Sequence, residues 1–225
     1  MSVNLSAYNK IKDQLKPYNA KLVAVSKIKP AADIQALYNA GQRIFGENYV
    51  QELQEKQALL PADIQWHFIG HLQSNKVKYI APFVTMIHAV DSMKLLEEIN
   101  KQAARYDRTI QCLLQVHIAE EETKFGLNEK ELEQLLEQWS KQREELPHIR
   151  IAGLMGMATN TDNLTQVKKE FNHLKALQQS LKACFFVDED TFNELSIGMS
   201  GDYTIALEEG STMVRIGSML FGARQ

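Results

Sequence analysis

Eight short apolar runs, alternating with stretches of helical periodicity, constrain this chain more than any other feature. They are LVAVS (22–26), RIFGE (43–47), WHFIG (66–70), TMIHAV (85–90), CLLQVHI (112–118), IAGLMGMA (151–158), ELSIGM (194–199) and MVRIG (213–217). Continuous apolar runs of this length suit parallel strands covered on both faces. The intervening segments read as amphipathic helices. ELEQLLEQWSKQREEL sets Leu132, Leu135, Leu136, Trp139 and Leu146 near one face, and LTQVKKEFNHLKALQQSL does so with Leu164, Val167, Phe171, Leu174 and Leu181. DSMKLLEEINKQAARY opens on Asp91, a good N-cap, and carries Leu95, Leu96, Ile99 and Ala103. Strand–helix alternation implies right-handed crossovers and a parallel sheet. Eight strands favour an α/β fold of the closed (β/α)8 TIM-barrel type, with an extra helix over 6–18 before the first strand. A doubly wound open sheet is the second architecture, but no GxGxxG follows the first run.

Composition fits one barrel. The chain has 225 residues, 44% of them hydrophobic, within the roughly 200–250 residues of a typical barrel. No linker or low-complexity segment interrupts it, so a single domain over 1–225 is expected. With 25 basic and 28 acidic residues, the net charge of −3 offers no field for nucleic acid. Cys112 and Cys184 both sit among apolar neighbours and read as reduced, buried small hydrophobes. No run approaches signal-peptide or membrane-span length, so a cytoplasmic location is expected and the sequons at Asn4 and Asn163 are chance matches.

In a barrel, function lies at the C-terminal ends of the strands. That rule selects Lys27 after the first run, Glu47 and Asn48 after the second, His71 and Gln73 after the third, and Asp91 after the fourth. It then selects His117 and Lys124, residues 157–160, the group Ser200, Gly201 and Asp202, and finally Gly217 and Ser218. The segments IGMSGD and RIGSMLFG bring small residues, hydroxyls and backbone N–H groups to the loops after strands seven and eight, the recurrent phosphate site of barrels. Gly201 and Gly217 allow close approach of an anion, and Ser200 and Ser218 can donate to it.

A lysine on the inner wall of the mouth is partly desolvated and presents a nucleophilic amine. With a phosphate held nearby, Lys27 fits two ligand classes: a sugar phosphate attacked as in an aldolase, or pyridoxal phosphate held as a Schiff base. Arg215, inside the last run, favours the second, because an arginine facing a pyridine nitrogen keeps it unprotonated and makes the ring a poor electron sink. The bland readings are a solvated Lys27 next to Lys29, and an Arg215 ion-paired with a barrel carboxylate such as Glu47.

Other candidates carry less. His67 and His71 lie four apart, but the strand pattern and Gly70 prevent a helical metal pair. Trp66, Phe68 and Ile69 read as core, and His117 as an interior strand histidine. Lys124, in EEETKFGL, reads as a loop charge or a second aldehyde-reactive amine. Tyr49 and Tyr203 read as helix-surface or loop-packing residues.

The segments LVAVSKIKP, FGENYVQE, WHFIGHLQSNK, HAVDS, GLMGMA, ELSIGMSGDY and GSTMVRIGSMLFGAR closely resemble the YggS/PROSC family of pyridoxal-phosphate homeostasis proteins, from about residue 21 to the C-terminus. The resemblance implies a barrel similar to the alanine racemase N-terminal domain, with pyridoxal 5'-phosphate as a Schiff base on Lys27. It further implies that Asn48 contacts the cofactor, that Ser200, Gly217 and Ser218 hold its phosphate, that Arg215 faces its ring nitrogen, and that Lys124 is a secondary cofactor site. The family implication is a cofactor buffer or carrier, with apo forms of pyridoxal-phosphate enzymes as partners.

The residues themselves weigh on the same side. A racemase needs acid/base groups on both faces of the ring, and neither Tyr49 nor Tyr203 is evidently placed across from Lys27. No sizeable lid or substrate domain is evident to exclude water. A non-catalytic, monomeric carrier is therefore expected, with an amino-acid racemase as the alternative and a cofactor-free aldolase third.

Overall fold

The computed structural model describes residues 3–121, 125–187 and 189–222. Its strands are β1 (Lys21–Val25), β2 (Ile44–Glu47), β3 (Gln65–Phe68), β4 (Met86–Val90), β5 (Ile110–Val116), β6 (Ile149–Gly156), β7 (Glu194–Ser196) and β8 (Met213–Ile216). The helices are α1 (Leu5–Leu15), α2 (Ala31–Asn39), α3 (Val50–Leu59), α4 (Val77–Ile80), α5 (Met93–Ala104), α6 (Glu129–Gln142), α7 (Leu164–Phe185), α8 (Tyr203–Glu208) and α9 (Ser218–Phe221). The strands pair in parallel and in chain order, and β8 closes on β1 with Lys21 opposite Met213 and Val23 opposite Arg215. The fold is the (β/α)8 barrel with its extra N-terminal helix.

Strand alternation divides the apolar residues between two clusters. Leu22, Ala24, Phe45, Trp66 and Phe68 face the helices in the larger one, with Leu96, Leu136 and Phe171. Val23, Met86, Leu113, Ala152, Met155 and Met213 form a separate cluster filling the barrel interior. Ala152 and Met155 are three apart, which simple alternation forbids for one face. The register shift between Cys112 and Leu113 resolves this, because Ala152 is an extra residue between their partners Ile151 and Gly153. Gly153 has φ +152°, and a Cβ there would lie 1.8 Å from the Glu194 carbonyl oxygen.

The expected helix stripes are largely buried, although Leu164 at the start of α7 is exposed. Ser92, not Asp91, caps α5, its hydroxyl accepting from the Leu95 N–H at 3.4 Å. The sequon residues Asn4 and Asn163 cap α1 and α7, so both have structural work. Cys112 is buried as expected. Cys184 is exposed on α7, because the apolar character of its neighbours Phe185 and Phe186 does not fix which way a helical side chain between them and solvent points. The helix α1 packs behind the last loops: Asn4 N–H donates to the Leu220 carbonyl at 2.9 Å, and Tyr203 Oη donates to Gln14 Oε1 at 2.7 Å.

Candidate functional site

The alternation that puts Val23 inside the barrel carries Val25 to the inner wall and Lys27 to the mouth. The chain then turns sharply, with Lys29 N–H donating to the Ser26 carbonyl at 3.0 Å. Ile28 occupies the third position of this turn with φ +62°, where a β-branched residue is strained by roughly 1–3 kcal/mol.

A buried polar network holds the turn. Ile28 N–H donates to Glu52 Oε1 at 2.6 Å, and Lys56 Nζ donates to Glu52 Oε1, Glu47 Oε1 and the Ser26 carbonyl, each at 2.7 Å. Ser26 Oγ donates to Glu47 Oε1 at 2.6 Å. Burial raises the Glu47 carboxyl above its ordinary value, against the opposing pull of Lys56.

Lys27, Asn48, Arg215, Gly217 and Ser218, nominated from the sequence, line one cavity of about 170 Å³, together with Lys29. Its apolar wall includes Val25, Ile69, Met155 and Met157. Ile69 is thus a half-buried wall residue rather than core. Asn48 Oδ1 is buried and has no hydrogen-bond partner among the described residues. Gly217 lies so close to β1 that a Cβ would sit 3.1 Å from the Val25 carbonyl oxygen and 3.3 Å from Val25 Cβ. Lys29 Nζ donates to the carbonyls of Phe221 and Gly222 at 2.9 and 3.3 Å, tying the Lys27 turn to the end of α9.

Arg215 is buried. Its Nη1 donates to the Ser196 carbonyl at 2.7 Å and Ser196 Oγ at 2.6 Å, and its Nη2 donates to the Gly156 carbonyl at 3.0 Å. Burial lowers the guanidinium to about 10, with Asp202 acting in the opposite direction, so it remains a cation at neutral pH. The sequence alternative of a Glu47 partner is overturned: Glu47 faces α3 and pairs with Lys56.

Other nominated residues lie elsewhere. Ser200 sits in the 199–202 turn, closed by Asp202 N–H to the Met199 carbonyl at 3.2 Å, and Met199 rather than Ser200 reaches the cavity lining. His71 and Gln73 line a neighbouring groove with Tyr49 and Tyr79. His117 falls just beyond β5 instead of inside a strand, its Nε2 2.9 Å from the Glu121 carbonyl oxygen. Lys124 lies outside the described residues. No cluster of metal-ligating groups occurs among the described residues. Sequence reasoning missed a buried polar chain in the interior: His67 Nδ1 is 2.9 Å from His88 Nε2, and His88 Nδ1 is 3.0 Å from Ser196 Oγ. Three polar residues recurring within apolar runs were the available signal.

A parallel barrel with a lysine, a buried arginine and a Gly–Ser turn converging on one mouth defines an alanine-racemase-type barrel. The family model of the alanine racemase N-terminal domain matches residues 6–225. The chain is 40% identical over 207 residues to the pyridoxal phosphate homeostasis protein of Aquifex aeolicus, covering 92% of this chain and 88% of that one. It is 38% identical over 226 residues to the protein of the same name from Synechocystis, covering 97% and 98%. Among solved structures, PipY of Synechococcus elongatus PCC7942 with pyridoxal phosphate bound is 36% identical and superposes with a TM-score of 0.87, covering 96% and 99%. The chain belongs to the pyridoxal phosphate homeostasis protein family, within the alanine racemase N-terminal domain family.

Proposed function

We propose that this chain binds pyridoxal 5'-phosphate at the barrel mouth, holds it covalently through Lys27 Nζ and releases it again, acting in cofactor homeostasis rather than turnover. The convergence of Lys27, Asn48, Arg215, Gly217 and Ser218 on one cavity carries the reading. When bound, the cofactor supplies an aldehyde, an anionic phosphate and a pyridine ring.

The residues present fit that group. Asn48 offers a buried, unmatched amide oxygen, and Gly217 keeps the backbone open beside Ser218 at the proposed phosphate end. Three of the five Arg215 donors serve protein oxygens, which leaves two for a ring-nitrogen acceptor. A permanent cation at that nitrogen disfavours its protonation, so the ring withdraws electrons poorly. Ser200, next to the cavity-lining Met199, enters the proposal as a phosphate donor, and Lys124 as a secondary cofactor site.

The racemase alternative needs a second acid/base group facing the ring. Neither Tyr49 nor Tyr203 lines the cavity, and the Tyr203 phenol is engaged by Gln14. The reading extends to a cytoplasmic monomer that exchanges cofactor with apo forms of pyridoxal-phosphate enzymes. No helix among the described residues is long and apolar enough to cross a membrane.

The test is to add pyridoxal phosphate to the purified protein, reduce with borohydride and map the modified peptide. The label is expected on Lys27, with any second label at Lys124. A protein that takes up no cofactor sinks the binding reading. Sustained racemisation or α-proton exchange in deuterated water, abolished by Lys27→Ala, would overturn the carrier reading.

A further inference from the structure

His88 lies on β4 and Ser196 on β7, strands that are not neighbours in the closed barrel order. The 3.0 Å contact between His88 Nδ1 and Ser196 Oγ therefore crosses the barrel interior. It belongs to a continuous chain from His67 on β3 to Arg215 at the cavity, and all four residues are buried.

Hydrogen-bond satisfaction orders the protons along this chain. Arg215 only donates, so Ser196 Oγ accepts from Nη1; His88 Nδ1 is the other side-chain partner of this hydroxyl among the described residues, and the arrangement that uses the Ser196 hydrogen directs it there. His88 then carries its proton on Nε2 and donates it to His67 Nδ1, and His67 in turn is protonated on Nε2. Both imidazoles are neutral, in keeping with the downward shift that burial imposes on each. A buried network in which each member is satisfied is stiff, whereas one with a missing member leaves a buried polar group unmatched.

The geometry points to His88 as a positioning residue that acts through Ser196 to hold the Arg215 guanidinium in its orientation toward the ring nitrogen of the bound cofactor. This rests on the pyridoxal-phosphate reading above. His88 itself does not line the cavity, so its influence on the ligand runs through Arg215. The Ser196 hydroxyl is the bridge: it takes one Nη1 hydrogen while the Ser196 carbonyl takes the other, which fixes the plane of the guanidinium. With three of its hydrogens engaged the guanidinium is held at the cavity wall, with His88 supplying the acceptor that keeps the hydroxyl from rotating away.

The test measures affinity for pyridoxal phosphate and the absorption band of the bound cofactor for Ser196→Ala, His88→Leu, His88→Gln and Arg215→Gln, and for the first two combined with Arg215→Gln. Arg215→Gln is expected to weaken binding about tenfold or more, the range of one hydrogen bond to a charged group. Ser196→Ala and His88→Leu are expected to weaken it several-fold and to move the band, and His88→Gln, which can accept from Ser196 and donate to His67, should recover much of both. In the Arg215→Gln background the effects of Ser196→Ala and His88→Leu should vanish, the signature of action through a shared partner. Full additivity, or unchanged affinity and band in Ser196→Ala and His88→Leu while Arg215→Gln is impaired, overturns the positioning role and leaves the cofactor site standing. An Arg215→Gln variant indistinguishable from wild type removes the ring-nitrogen reading itself, and the positioning role with it. Ser196→Ala removes one oxygen and leaves the strand intact, so the test stands even where His88→Leu fails to fold.

Discussion

The backbone N–H of Ile28 donates to Glu52 Oε1 at 2.6 Å, so the most strained residue of the Lys27 turn is anchored to α3 by a carboxylate. Ile28 is 61% exposed, so its side chain gives no core packing that would explain a positive φ. The strain is therefore held in place by the network below it. That network links the mouth to α3 through Lys56, which also bonds Glu47 and the Ser26 carbonyl.

Ile28→Gly removes the strain while giving the unfolded chain more freedom, so the apo protein should gain only about 0.5–1 kcal/mol in denaturant unfolding. Release of cofactor should accelerate, because the turn that presents Lys27 becomes looser. Glu52→Ala should destabilise the apo protein by roughly 1.5–3 kcal/mol. If Glu52 holds the strained turn, that loss shrinks by at least about 0.5 kcal/mol in the Ile28→Gly background. Equal losses in both backgrounds would show that Glu52 acts independently of the strain.

The interior histidines predict the sign of the acid response. Burial pushes the His67 imidazole down to about 3 and His88 well below 6.5. Below pH 6.5 the unfolded chain therefore binds more protons than the folded one, and stability falls as pH falls, by up to about 1.4 kcal/mol per pH unit from His67 down to about pH 3, with His88 acting in the same direction. Glu47 works in the opposite sense: its raised carboxyl contributes most below 4.5 and loses that contribution as pH rises through its folded value. Unfolding midpoints at pH 7, 6 and 5 should show the histidine slope in the wild type and a shallower one in His67→Gln. Parallel slopes would mean that His67 is protonated in the folded state.

Thiol accessibility separates the two cysteines. Cys112 is fully buried in β5 and burial raises its thiol, whereas Cys184 is exposed on α7. A thiol reagent should label one cysteine rapidly in the native protein and the second only after denaturation. Labelling of neither in the native state would return Cys184 to the interior.

What was legible in the sequence follows from what local patterning encodes. Strands covered on both faces are apolar throughout, so all eight were visible, with ends displaced by up to three residues. The run at 194–199 overshoots because Gly198, at φ +94°, turns the chain beyond Ser196. Lys27, Asn48, Arg215, Gly217 and Ser218 were legible because barrel topology alone assigns strand ends to the mouth. The part of Met199 in the cavity lining was not legible, because it depends on the closed 199–202 turn that presents this side chain. The His67–His88–Ser196 chain was hidden because only closure of the barrel brings β4 opposite β7. Lys56 carries no signal of its own in the sequence, because its burial depends on a partner, Glu47, from a different element.

The Gly217–Val25 approach gives the sharpest test of the phosphate end. In Gly217→Ala the new methyl meets the Val25 carbonyl oxygen at 3.1 Å and Val25 Cβ at 3.3 Å, distances that require a shift of a few tenths of an ångström. Gly217 is half-buried and opens α9, so the backbone can move outward rather than compress β1. The apo protein should therefore lose only about 1 kcal/mol or less. Movement of the Gly217–Ser218 turn displaces the donors proposed to hold the phosphate, so affinity for pyridoxal phosphate should fall about tenfold or more, with a smaller loss for the unphosphorylated aldehyde. Titration of both ligands against wild type and variant checks this. Equal losses for the two would place the phosphate away from Gly217 and assign the turn a purely structural role.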